Sequence, residues 1–255
     1  MFRKYVAFDI ETAKILPPDF GDLHDHRPLG ITCMAIWCSD EQEATTWYSK
    51  DSKGTPASQM TAEDLTAAIA FLKQKTQAGY SIITHNGLGF DFVILAEESG
   101  QWEECRQLAK GHIDMMFHFF CGKGFPIRLN AAANAIGLSK PADVDGSVAP
   151  LLWKQGEYKT VLDYVAQDCR LTLEVAEASE KAKRITWITK KGTTSWFDLP
   201  NGWLTVEEAE QLPLPDTSWM DKPWARSKFT DWLRTDRIIC NSNGSDERNE
   251  KTCLY

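Results

Sequence analysis

Residues 4–12, "KYVAFDIET", form an apolar run that ends in two acids, Asp9 and Glu11, with one isoleucine between them. Lys4 to Ile10 has the composition of a buried strand that opens the fold, and residues two apart on a strand project from the same face. Two carboxylates placed in this way repel each other unless the strand ends in solvent or positive charge stands between them. For an isolated stretch of this kind the solvent-exposed ending is the commoner explanation. What decides the question is whether acids from distant parts of the chain are carried to the same place.

Working outward, residues 30–38 (GITCMAIWC) and 43–49 (EATTWYS) are further strand-like runs, joined closely enough to pair as antiparallel neighbours. Between the first two strands, residues 13–29 carry Pro17, Pro18, Gly21 and two histidines and read as an irregular polar loop. Thr61 opens an amphipathic helix with Asp64 three residues on and Gly79 as its stop. YSIIT, residues 80–84, then reads as a buried strand, GFDFVILAEESG as a helix, and GHIDMM as a short strand at 112–114. Further helices are expected at 129–137 and 158–182. Strands first, followed by alternation of helix and strand, is the order of an α/β fold with a mixed sheet flanked by helices.

The texture changes after residue 182. RITWITKKGTTSWFDL alternates about a KKGT turn like a β-hairpin, and LTVEEAEQL carries a Thr205–Glu208 capping box. Six of the ten tryptophans lie beyond residue 185. The expected organisation is a main domain over 1–182, a Trp-rich appendage over 183–239 packed by aromatics, and a polar, frayed tail over 240–255. No internal repeat is visible.

With 255 residues, 43% hydrophobic and 25% charged, the chain has the make-up of an ordinary globular protein with a substantial core. No apolar stretch reaches membrane-spanning length, and the N-terminus reads as a strand and not as a signal peptide, so a cytoplasmic protein with no membrane partner is expected. Seven cysteines without a Cys-x-x-Cys pair indicate neither a disulfide framework nor a zinc knuckle. The 28 basic and 36 acidic residues give a net charge of −8, which argues against nucleic-acid binding through bulk charge; a phosphate-rich partner would need a local attraction.

Two more segments place acids at strategic points. THNGLGFD, residues 84–91, sets Asp91 after a strand and a glycine-bearing turn, at the start of a helix, where α/β folds bind ligands. In YVAQD, Tyr164 and Asp168 are four residues apart and share one face of the last long helix. If that helix crosses the sheet where the first strand ends, four carboxylates pool around one cavity, an oxygen-rich set suited to hard cations such as Mg²⁺ or Mn²⁺.

"FDIET", "HNGLGFD" and "YVAQD", in that order, resemble the three motifs of the DEDD exonucleases with a tyrosine-type third motif, the DnaQ-like branch of the ribonuclease H-like fold, over residues 1–182. The resemblance implies that Asp9, Glu11, Asp91 and Asp168 hold two divalent ions and that Tyr164 positions the attacking water. It further implies 3′-to-5′ hydrolysis of terminal phosphodiester bonds in DNA or RNA by a two-metal mechanism, on a nucleic acid with a free, single-stranded 3′ end. Thr12, His85, Asn86 and Phe90 are the expected contacts to the terminal nucleotide. Any proofreading role would require a separate protein partner. The rival reading, a catalytically silent nucleic-acid-binding or scaffold module, predicts loss of at least one of the four acids, and all are present. Among other features, Asp114 reads as a strand-end cap and the His24-Asp25-His26 segment as a solvated loop. Lys181, Lys183, Arg184, Lys190 and Lys191, near Trp187 and Trp196, read as a charged surface beside a small aromatic core, with a single-stranded nucleic-acid surface working by charge and stacking as the alternative; Lys123 and Arg128 flank a glycine-containing loop, as phosphate contacts or as solvated side chains.

Overall fold

The opening run forms strand β1, Lys4–Thr12, and two more strands, β2 at Ile31–Cys38 and β3 at Thr45–Trp47, extend from it antiparallel. On its other side lie β4, Tyr80–Thr84, and β5, Ile113–Asp114, both parallel, so the sheet is mixed, in the order β3-β2-β1-β4-β5. The computed structural model describes residues 3–17, 19–21, 23–139 and 146–234; the tail expected at 240–255 lies outside them.

Alternation along β1 divides the core in two. Val6, Phe8 and Ile10 pack with helices α1 (Ala62–Gln77), α2 (Asp91–Ser99) and α3 (Trp102–Gly111) on one face. Tyr5 and Ala7 face the other way, with Cys33 and Ala35 of β2, beneath the long helix α7, whose range Tyr158–Ala182 is the one the periodicity predicts. Small side chains at positions 7, 33 and 35 let α7 lie close to the sheet, and the Cys169 thiol reaches the Ala35 carbonyl at 3.3 Å. The buried stripe of α7 runs through Val161, Val165, Asp168, Cys169, Thr172 and Ala176. A carboxylate thus sits in the row that faces the sheet.

Thr61 caps α1 by accepting the Asp64 N–H, and the Thr205–Glu208 capping box forms with both of its hydrogen bonds, at the start of the short helix at Val206–Glu210. Helix α3 and the helices at Met115–Lys123 (α4) and Ala149–Lys154 (α6) are additional to those expected from the sequence. In α4, residues 117–121 are all buried, so no polar face marks its period. The helix expected at 129–137 (α5) ends at Ala135, the third strand shortens to three residues, and Leu23–His26 makes a turn of 3-10 helix inside the loop expected to be irregular. The five cysteines among the described residues are buried free thiols. No helix there is long and apolar enough to cross a membrane.

Beyond α7 the hairpin forms as strands β6 (Arg184–Ile188) and β7 (Thr194–Asp198), closed by a turn in which Gly192 adopts a positive φ of 76°. Trp187 and Phe197 turn inward on Phe119, at ring separations of 4.9 and 5.7 Å, while Trp196 lies outward and exposed. Trp203 is the largest fully buried side chain; its indole N–H donates to the Ala176 carbonyl at 3.0 Å, and its own carbonyl accepts from Arg3 at 2.8 Å. Truncation to Trp203→Ala should therefore cost about 3–5 kcal/mol, read as a lowered denaturant midpoint, with Trp203→Phe retaining most of the stability. An unchanged midpoint for the alanine variant would show that this indole does not clamp the C-terminal segment to α7.

Candidate active site

The β1–β4 pairing ends at Ala7, so Asp9 and Glu11 lie past the point where the parallel neighbour runs alongside. Their register opposite Ala35 and Cys33 puts both carboxylates on the α7 side of the sheet, beside a bulge between Glu11 and Thr12. From α7, Tyr164 and Asp168 reach the same place. Asp9, Glu11, Thr12, Tyr164 and Asp168 all line one cavity of about 540 Å³, which Phe90 also borders. Glu11 and Asp168 are buried, whereas Asp9 is half-buried.

Asp91 stands behind this cavity. It is the first residue of α2 and is buried, and its Oδ1 accepts the Ile10 N–H at 3.1 Å, between the two acids of β1. Burial raises its pKa to about 7, and the nearby negative charges of Asp114 and Asp168 push the same way, against the pull of the Ile10 N–H. The Tyr164 hydroxyl hydrogen-bonds to Asp168. Burial first, and then the charges of Asp168, Glu11 and Asp9, drive its pKa well above the ordinary phenol value. At neutral pH Tyr164 keeps its proton and can orient a nucleophile, but it cannot act as a base.

His85 and Asn86 do not line the cavity. The His85 ring pairs through Nε2 with the Ile127 carbonyl at 2.9 Å, and Asn86, at a φ of 78°, donates its backbone N–H to Asp114. The turn they belong to needs glycine at position 87, where a Cβ would come within 2.4–2.7 Å of the Thr84 side chain. Asp114 caps α4 through the Phe117 N–H, as the strand-end reading expects, and also holds this turn. Of the basic cluster, Lys181, Lys183, Arg184, Lys190 and Lys191 are exposed; Trp187 is core, and Trp196 is the ring left in solvent. Lys123 lies over the Phe197 ring at 5.7 Å, and Arg128 is exposed at the start of α5. The side chain of His24 is outside the described residues.

Part of the pocket wall has no counterpart in the sequence motifs. Leu16, Pro17, Phe20 and Leu23 come from the loop after β1, and Gly146, Ser147 and Pro150 from the segment leading into α6. Apolar residues scattered through a polar loop have no period to mark them, although Leu16 and Leu23 are partly buried against the core.

The donor set around the cavity is purely oxygen, three carboxylates with a fourth behind them, which fits a hard divalent cation and no soft one. Among the described residues, no group of three or more His, Cys, Asp or Glu side chains is placed closely enough to hold a metal ion as it stands.

Structures similar to this one include a family B DNA polymerase from the archaeon Pyrobaculum calidifontis, with a TM-score of 0.51 and 18% identity over 70% of this chain and 25% of the polymerase. Exonuclease I in its apo form gives a TM-score of 0.33 and 14% identity over 71% of this chain and 42% of that one. Exonuclease I of E. coli in complex with a 5cy-dT13 oligonucleotide gives 0.30 and 16%, over 64% and 42% respectively. The chain thus spans a quarter of the polymerase and under half of exonuclease I. No curated protein matches it by sequence. The RNase_H superfamily profile matches residues 6–179, which take in β2 to β5, most of β1 and α7, and every acid at the cavity, so the chain belongs to the RNase H superfamily.

Proposed function

We propose that this protein is a divalent-metal-dependent 3′-to-5′ exonuclease that hydrolyses the terminal phosphodiester bond of DNA or RNA and releases nucleoside monophosphates. The observation that carries the reading is the convergence of Asp9 and Glu11 from β1 with Tyr164 and Asp168 from α7 on one cavity of an RNase H-like fold. The 3′-to-5′ direction rests on the three-motif resemblance.

Asp9, Glu11 and Asp168, with Asp91 behind them, would hold Mg²⁺ or Mn²⁺. When bound, a pair of such ions stabilises charge on the entering and leaving oxygens of an in-line displacement at phosphorus. The protein's own groups do the rest. Tyr164, protonated and fixed to Asp168, orients water towards the phosphorus, and Asp91 fixes the backbone between the two β1 acids through Ile10. Water adds to phosphorus and gives up a proton to solvent as the bond to the leaving 3′ oxygen breaks, and that oxygen takes up a proton in turn.

The test is release of mononucleotides from a 5′-labelled oligonucleotide with Mn²⁺ and with excess chelator, across single- and double-stranded DNA and RNA. A ladder shortening towards the label, abolished by chelator, is expected. Immediate release of the labelled end would reverse the direction, and complete inertness on every substrate would favour a binding module. Tyr164→Phe should slow turnover about 10- to 100-fold, the scale of one hydrogen bond to a charged group, with KM and calorimetric Mn²⁺ affinity nearly unchanged; an unaltered kcat would remove Tyr164 from the mechanism.

A further inference from the structure

The hairpin that follows α7 carries a tryptophan and a run of cations that the active site does not use. Five basic residues, Lys181, Lys183, Arg184, Lys190 and Lys191, fall between positions 181 and 197 with no acid among them, in a chain whose net charge is −8. All five are exposed. Strand register explains the tryptophan: Trp196 stands opposite Thr186, so the alternation that turns Trp187 and Phe197 onto Phe119 sends the Trp196 ring outward, where it is 53% exposed. A single exposed ring is ordinary on a protein surface. This one borders a groove of about 390 Å³ with Lys123, Ser195, Phe197 and Asp198, and the Lys123 ammonium lies over the Phe197 ring at 5.7 Å. Asp198, the acid at the groove, pairs across the hairpin with Arg184, which offsets its charge.

We propose that this face of the hairpin is a second nucleic-acid site, which holds an unpaired strand of DNA or RNA by stacking a base on Trp196 and pairing phosphates with Lys123, Lys190 and Lys191. The proposal rests on the exonuclease reading for its purpose, which is to keep a long strand on the protein between cleavages, but not for its chemistry. An exposed ring among cations takes single strands of any sequence, because every base has a π-face and every nucleotide a phosphate. A duplex keeps its base faces inside the stack and would gain only the charge contacts. A local cluster of cations is also what an acidic chain needs to attract a polyanion. Helix α7 carries the chain about 22 Å from Asp168 to Lys183 at its end, a span of roughly six stacked nucleotides. Only a strand longer than this can occupy the cavity and the hairpin together.

The test is the fluorescence anisotropy of a labelled long oligothymidylate or oligouridylate, titrated with the full chain in chelator so that binding is read without cleavage. The wild type should bind, Trp196→Ala should bind about 5- to 150-fold more weakly, the scale of one base–aromatic contact, and Trp196→Tyr should recover most of the loss. The double variant Lys190→Gln, Lys191→Gln should flatten the dependence of log Kd on log salt by about 1.4, at about 0.7 for each phosphate contact on a single strand. With Mn²⁺ present, Trp196→Ala should lose kcat/KM on the long strand and match the wild type on a dinucleotide, which cannot reach the hairpin. Equal affinity of the wild type and Trp196→Ala for the long strand, or an equal loss on a blunt duplex, overturns the hairpin site, and so does failure of the wild type to bind the long strand. Binding by the wild type with inertness in Mn²⁺ on every substrate overturns the exonuclease reading alone.

Discussion

Asp168→Asn is expected to lower nucleotide release on the order of 10³-fold, the scale seen when one preorganised electrostatic stabiliser is removed, while the protein stays folded. The substitution keeps the side chain's volume and its place in the buried stripe of α7, and Val165 and Cys169 on either side still pack on the sheet. What it removes is negative charge at the cavity. A neutral amide oxygen is a poorer ligand for a hard cation, and the variant should bind Mn²⁺ more weakly by calorimetry. Asp9→Ala should behave alike in activity, since Asp9 lies on the same cavity from β1. Equal Mn²⁺ affinity in wild type and Asp168→Asn would exclude Asp168 as a ligand. Full activity in either variant would end the nuclease proposal as it is framed around these acids.

The site was legible in the sequence where it lies on regular structure. Asp9 and Glu11 share a face because β1 has a period of two, and Tyr164 and Asp168 share one because α7 has a period near four; both periods can be read without coordinates. That the two faces meet depends on the small residues at 7, 33 and 35, which are visible as letters but reveal their purpose only once α7 is seen above them. Asp91 shows the limit of motif spacing: its position at the start of α2 follows from the sequence, but its bond to the Ile10 N–H depends on where β4 stops. Helix α4 escaped because it is buried nearly all round, and the pocket wall from Leu16, Pro17, Phe20 and Leu23 because loops carry no period. Trp187 and Trp196 look alike in sequence, yet the hairpin register sends one to the core and the other to solvent.

Asp114 offers the sharpest link between fold and site, and Asp114→Ala is expected to cost on the order of 4 kcal/mol of stability. Its Oδ1 accepts the N–H groups of Asn86 and Phe117, both at 3.0 Å, and its Oδ2 accepts that of Leu88 at 2.9 Å. Alanine leaves three donors without their acceptor in a region that water does not reach, since Asp114 is 1% exposed. Burial raises the carboxyl's pKa while the backbone donors lower it, so the side chain is held there by the N–H groups it satisfies. Asp114→Asn is no remedy, because one of its two ends is an NH₂ that would face an N–H in place of accepting it. The turn that Asp114 fixes leads straight into Phe90 and Asp91, so both variants should also lose turnover, by displacing the carboxylate that holds Ile10 between Asp9 and Glu11. Denaturant midpoints and single-turnover rates measured on the same preparations separate the two effects. Stability near wild type for Asp114→Ala would mean that the turn holds its shape without this carboxylate, and an unchanged rate in a folded variant would mean that the position of Asp91 does not depend on it.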